Sequence, residues 1–205
     1  MKHEQVSAGQ PVSHVAPISE RLDALADLIL AWNQRINLMS RGDVGVLRTR
    51  HIQDCLQLVP LLPPMISPIA DMGSGAGLPG LVLAIAQARP VHLVEADRRK
   101  AAFLTEAAAR LGLKSVTVHP VRIETLRLPG VGVVTARALA PLNELLAFAE
   151  PLIGQRGVAL FPKGRGAEQE VNAARLRWTF DIERHPSTTD PDGCILRVSA
   201  IRRAI

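Results

Sequence analysis

From Ile18 to Ile36 the apolar positions Leu22, Leu25, Leu28, Ile29, Trp32 and Ile36 recur at helical spacing, with Ser19 placed to cap the start. A second helical pattern covers His51 to Leu62 and stops ahead of Pro63-Pro64, which cannot continue it. Short apolar runs then alternate with helical patterns: strand 68–72, helix 79–89, strand 91–95, helix 98–111, strand 115–119, strand 131–136, helix 142–153 and strand 157–161. A charged helix at 167–177 follows, and then two strands, Trp178 to Arg184 and Cys194 to Ile201, joined as a hairpin through Thr189-Asp-Pro-Asp-Gly193. Such alternation predicts an α/β fold, with a mostly parallel Rossmann-like sheet, right-handed crossovers and an antiparallel edge. Residues 1–16 are polar and aperiodic and read as a flexible tail. The rest, 17–205, reads as one domain, with a helical appendage over 17–65 ahead of the core at 66–205.

The first strand runs into Asp71-Met-Gly-Ser-Gly-Ala-Gly-Leu-Pro-Gly80. Gly73, Gly75 and Gly77 permit a tight strand-to-helix turn and keep side chains from between the backbone and a ligand, so an adenosine cofactor is expected. Gly75, Gly77 and Gly80 also satisfy G-x-G-x-x-G, which keeps NAD and a dehydrogenase in view. Asp71 separates the two: its charge opposes a pyrophosphate and suits a ligand carrying an ammonium and a sulfonium, as S-adenosylmethionine does. Glu95 ends the second strand 22 positions after Gly73, near the spacing at which a carboxylate meets the ribose hydroxyls. Asp97 offers an alternative, and either group could cap the helix that begins at Arg98. A parallel sheet closing on an antiparallel hairpin, preceded by helices, is the class I methyltransferase variant of this fold.

The acceptor of a transferred methyl group meets the residues after the fourth strand, here Thr135-Ala-Arg137-Ala-Leu-Ala-Pro141. The Asn- or Asp-Pro-Pro-aromatic signature of enzymes that methylate exocyclic amines is missing, and the chain has no tyrosine. Methylation of pyrimidine carbon needs a cysteine nucleophile, whereas Cys55 precedes the sheet and Cys194 opens the last strand. A ring nitrogen such as guanine N7, whose lone pair attacks without losing a proton, fits what remains. Arg137, on the carboxyl edge of the sheet, is expected to position the acceptor, contact a phosphate or brace the cofactor loop. Lys163 and Arg165 share that edge and could meet RNA phosphates or form an ordinary solvated loop. His51 and Asp54, three apart on one helical face, are expected to make local hydrogen bonds rather than transfer protons. No spacing suggests a metal site.

Charge and composition narrow the setting. The net charge is +5, with the excess in residues 67–140, where nine basic groups meet five acidic ones. That suits a modest anionic partner such as RNA. No apolar run reaches the length of a membrane span, the start lacks a signal peptide and two cysteines cannot make a disulfide framework, so a cytoplasmic protein without membrane contact is expected, and a monomer is the expected state, which the sequence itself does not set.

Together Asn37-Leu38, Arg50-His51-x-x-Asp54, the glycine stretch 71–80, Arg99-Lys-Ala-Ala-Phe103, Arg122-Ile-Glu124, Arg137-Ala-Leu-Ala-Pro-Leu142 and Lys163-Gly164 resemble the glucose-inhibited division protein B family. These are bacterial guanine-N7 methyltransferases of small-subunit ribosomal RNA, and the likeness spans residues 20–202. The resemblance implies transfer of methyl from S-adenosylmethionine to one guanine in the decoding-region loop of 16S ribosomal RNA, free or in the small subunit. It further implies cofactor contacts at Gly73, Leu78, Ile123, Glu124 and Arg137, and a place near the RNA for Asn37, Arg50 and His51. Cys55, Met39 and Leu78 depart from the residues usual in the family. Two readings compete: a nicotinamide-dependent oxidoreductase, and a non-catalytic RNA-binding module that keeps the fold.

Overall fold

The computed structural model describes residues 16–65, 67–128 and 130–204; of the tail expected over 1–16, only Ala16 lies within them. Seven strands form one sheet in the order β3-β2-β1-β4-β5-β7-β6. They are β1 (Ile69–Met72), β2 (Val91–Val94), β3 (Val116–His119), β4 (Val131–Thr135), β5 (Ile153–Lys163), β6 (Trp178–Pro186) and β7 (Cys194–Arg203). The first five pair in parallel, while β7 runs antiparallel to both β5 and β6. The chain steps outward from β1 through β2 to β3, then returns to place β4 on the other side of β1. Loops leaving β1 and β4 diverge at that reversal and open a crevice at the carboxyl ends of the strands.

Residues of β1 are buried on both faces, as a central parallel strand requires. Ile69 joins an apolar layer with α1 (Ile18–Asn33), α4 (Gly80–Ala86) and α5 (Arg98–Arg110). Ala70 and Met72 join the opposite layer with α6 (Leu142–Ala149) and α7 (Ala167–Arg175). Trp32 of α1 meets Phe103 of α5 edge to face, with centroids 5.7 Å apart, so the N-terminal helix packs within the first layer. No described helix is long and apolar enough to cross a membrane.

Several boundaries differ from the sequence pattern. Pro17, not Ser19, occupies the N-cap of α1, since proline's fixed φ suits a helix entry. The helix ends at Asn33, three residues short of Ile36, because the Asn33 side chain accepts the amides of Leu38 and Met39 and turns the chain. A short α2 (Arg41–Val44) follows that the pattern did not show. The helix expected from His51 begins instead with a π-turn, Leu47–Ile52, and continues as α3 (Gln53–Leu56) and a 3₁₀ turn at Val59–Leu61. Val46 carbonyl accepts from both Arg50 (2.8 Å) and His51 (3.3 Å), the widened winding of a π-bulge. It leaves Arg50 exposed and His51 buried.

Candidate active site

Three hollows lie in series along the carboxyl edge. The first, about 170 Å³, is lined by Gly73, Glu95, Val121, Ile123 and Glu124, with Ile123 and Glu124 on a 3₁₀ turn after β3. The second, about 210 Å³, is bounded by the glycine loop, Leu78, Met39, His51 and Arg137. The third and largest, about 500 Å³, has walls from Arg50, Asp54, Arg137, Lys163, Glu170 and Asp190, among others. Gly73 belongs to the first two hollows, and Arg137 and Ala138 belong to the last two.

The loop is held from both sides. Gly73, Gly75 and Gly77 take φ of 65°, 51° and 79°, where a side chain is strained. One Glu95 carboxylate oxygen accepts the Gly75 amide at 2.9 Å and the other accepts the Asp97 amide at 2.8 Å. Two oxygens offer about four acceptor directions, so Glu95 keeps capacity for hydroxyl donors in the first hollow. Asp97 is the helix cap, accepting the amides of Arg99 and Lys100, and that cap holds its carboxyl below the usual carboxylate range.

Asp71 does not stand where the ligand-facing expectation put it. It is 1% exposed, lines neither of the first two hollows, and accepts the Thr135 hydroxyl (2.9 Å) and the Gly80 amide (3.1 Å). Strand alternation is the cause: in β1 its side chain points into the protein between neighbouring strands and α4. Burial pushes its carboxyl up to about 6, against the opposing pull of those donors. Gly80 serves the same packing, since a Cβ there would meet Leu93 at 2.3 Å and Asp71 Oδ2 at 2.6 Å.

Arg137 is the hub between the second and third hollows. Its Nη2 donates to His51 Nδ1, its Nη1 donates to the His51 carbonyl at 3.4 Å, and Asp54 Oδ2 lies 3.5 Å from Nη2. A guanidinium only donates, so His51 Nδ1 must accept and its proton resides on Nε2, facing Asp43 Oδ1 at 2.9 Å. Burial, and then the charge of Arg137, push the His51 imidazole below its ordinary value, so it is neutral at pH 7. Hydrogen bonds from Ser40 and His51 hold Asp43 below the usual carboxylate range. His51 and Asp54 therefore do not bond each other; both act on Arg137. Asp54 Oδ1 instead accepts from the Thr189 hydroxyl of the β6–β7 hairpin.

The other expected residues divide. Arg50 lines the third hollow and pairs with Asp190 at 3.0 Å. Lys163 lines it too, but its ammonium is nearly buried and bound to Glu170 (2.7 Å) and the Ala140 carbonyl (2.9 Å), which corrects the expectation of a cation presented to phosphate. Arg165 is exposed, bridges to Asp192 and stays outside all three hollows, as does exposed Asn37. Cys55 is fully buried, its thiol pushed up to about 12 by desolvation, which suits packing and not attack. Asp43 and Glu170 carried no sequence signal, and Thr189 and Asp190 carried only that of a turn: each works through a partner on another element. Among the described residues no group of three or more histidine, cysteine, aspartate or glutamate side chains could hold a metal.

Comparison with solved structures identifies the fold. A glycopeptide N-methyltransferase, MtfA, in complex with S-adenosylmethionine superposes with a TM-score of 0.63 at 11% identity, over 73% of this chain and 94% of that one. TYW2 of M. jannaschii in complex with AdoMet gives 0.60 at 17% identity, over 84% and 80%. Closer relatives exist in sequence. Ribosomal RNA small subunit methyltransferase G of Granulibacter bethesdensis is 52% identical, over 96% of this chain and 91% of its own. The protein of that name in Acidiphilium cryptum is 54% identical over 89% and 85%, and that in Rhodospirillum rubrum 43% identical over the full length of both. Residues 18–191 match the family described as GidB, rRNA small subunit methyltransferase G, and the chain belongs to that family.

Proposed function

We propose that this chain transfers the methyl group of S-adenosylmethionine to N7 of one guanine in the decoding-region loop of 16S ribosomal RNA. The observation that carries this reading is the series of hollows, in which Gly73 joins the space beside Glu95 and Ile123 to a second one and Arg137 joins that to a wider space. Glu95 and Ile123 frame the ribose and adenine, and the open glycine loop with Leu78 and Met39 frames the methionine part. S-adenosylmethionine supplies an electrophilic methyl group. The chain supplies alignment: Arg137, fixed by His51 and Asp54, sits where donor and acceptor meet. Both His51 nitrogens are committed, so it is no general base, and N7 requires none. Both cysteines are free, which suits a cytoplasmic site of action.

The test is direct. Small-subunit RNA from cells lacking the protein should have lost one N7-methylguanine, and purified protein should restore it in a single turnover. Unchanged N7-methylguanine would overturn the reading, and tight NAD binding with no response to S-adenosylhomocysteine would favour the oxidoreductase.

Two further outcomes are expected. Gly73→Asp should weaken S-adenosylhomocysteine binding by about 100-fold or more in calorimetry while the protein still folds, at a stability cost of about 1–2 kcal/mol for the left-handed backbone. Aspartate tolerates the left-handed conformation, and a side chain there enters the passage between the first two hollows, where a Cβ would stand 2.6 Å from the Leu139 side chain. Unaltered affinity would show that the cofactor lies elsewhere. The second outcome concerns pH. Methyl transfer should be level from pH 7 to 8.5 and fall below 6.5 as His51 gains a proton at Nδ1 and turns a donor toward Arg137. His51→Gln, which keeps an acceptor and a donor, should remove that acid limb. A variant with an unchanged limb would exclude His51 as its source.

A further inference from the structure

The acceptor hollow holds a donor and an acceptor side by side at its junction with the methyl donor: Arg137 Nη2 and Asp54 Oδ2, 3.5 Å apart and both largely buried. Charge-assisted hydrogen bonds close to about 2.7–2.9 Å, so these two groups stand beyond full contact with each other. Each is fixed from behind. Asp54 Oδ1 accepts from the Thr189 hydroxyl and the Gln57 amide, which turns Oδ2 toward Arg137. Arg137 leans on the His51 ring and carbonyl. A guanine presents the complement: O6 accepts, N1–H donates, and the two are neighbours on the ring. O6 also neighbours N7, so a base whose N7 faces the second hollow carries O6 to Arg137 and N1–H on to Asp54.

We propose that Asp54 is a specificity-determining residue that, with Arg137, reads the O6 and N1–H edge of the target guanine. This rests on the reading of the chain as a guanine-N7 methyltransferase. Adenine has N7 as well, but its edge is reversed, with a donor at N6 and an acceptor at N1, so it sets donor against donor and acceptor against acceptor. The pair also favours the transition state. As the N7 lone pair forms its bond to the methyl carbon, the carbon–sulfur electrons return to sulfur and the positive charge moves onto the base. N1–H becomes a stronger donor, and its bond to the Asp54 carboxylate strengthens as the charge develops. No proton leaves.

The test uses small-subunit particles assembled around a synthetic RNA segment with guanine, inosine or 2-aminopurine at the target position. Inosine retains O6 and N1–H; 2-aminopurine retains N7 but has neither, and its N1 is an acceptor. Wild-type protein should methylate guanine and inosine within about 10-fold of each other and 2-aminopurine about 100-fold more slowly in kcat/KM. In Asp54→Asn, Thr189 and Gln57 hold the amide oxygen, so the amide nitrogen faces the base as a donor. That variant should lose activity on guanine while its preference over 2-aminopurine narrows to about 10-fold or less. A structural role alone would lower all three rates together. Equal wild-type rates on guanine and 2-aminopurine, or an unaltered preference in Asp54→Asn, would overturn the inference while leaving N7 methylation standing. Failure of wild-type protein on guanine would instead overturn the functional reading.

Discussion

Arg137→Ala should lower kcat/KM for small-subunit RNA by about 10²–10³, the effect of removing one preorganised donor at a reacting centre. The arginine contacts His51 twice and stands 3.5 Å from Asp54, so its loss also leaves the His51 nitrogen and the Asp54 carboxylate without their common partner. Arg137→Lys should recover less than about 10-fold of that loss. One ammonium cannot reproduce a planar fork reaching a ring nitrogen, a carbonyl and a carboxylate together. Single-turnover methyl transfer at saturating S-adenosylmethionine gives the readout, with thermal melting as control. An alanine variant within about 3-fold of wild type would remove Arg137 from the reacting centre.

The second large effect concerns stability. Asp71→Ala should be less stable than Asp71→Asn by about 3 kcal/mol, or roughly 10 °C in Tm, because alanine leaves the Gly80 amide and Thr135 hydroxyl buried without partners. Asparagine keeps both bonds by accepting from Gly80 and donating to Thr135. It also removes a charge that burial disfavours. The Asp71 carboxyl is raised from 3.8 to about 6, so its native-state contribution is full at low pH and is lost as pH rises through about 6. Asp71→Asn should therefore gain stability relative to wild type across pH 4 to 7. The lowered imidazole of His51 works in the opposite sense: stability is present above 6.5 and falls as pH drops. The acid limb assigned to His51 is for that reason read in rate and not in melting temperature. Asp71→Asn should bind S-adenosylhomocysteine normally; lost binding would return the carboxylate to the ligand.

The apolar alternation revealed the sheet because the central strands β1, β2 and β4 are short, largely buried and bounded by helical spacing, and the turn at 189–193 announced the antiparallel edge. The glycine loop was legible for a different reason: positive φ at three alternate residues leaves glycine as the permissive choice. Asp71 shows the limit. Its charge suggested a ligand, yet its place in a strand buried on both faces already pointed inward. Lys163 misled for want of its partner, since Glu170 reaches it from the first turn of the next helix. The π-turn at Leu47–Ile52 rests on one carbonyl shared by two amides, a choice that tertiary packing makes and periodicity does not record. Ile123 and Glu124 have no pattern of their own and were visible only through family resemblance.

The β6–β7 hairpin gives the acceptor hollow a history as well as a shape. Gln57 bonds the Thr188 amide and the Thr189 hydroxyl, and Asp54 takes the same hydroxyl, so contacts about 130 positions apart in sequence close this wall. The first two hollows, proposed for the cofactor, are lined by nothing later than Ala138, whereas the third is lined by residues as late as Ile195. During synthesis, a nascent chain therefore has every cofactor-lining residue in hand long before it can enclose a base. The power to modify RNA arrives last, with the final strand.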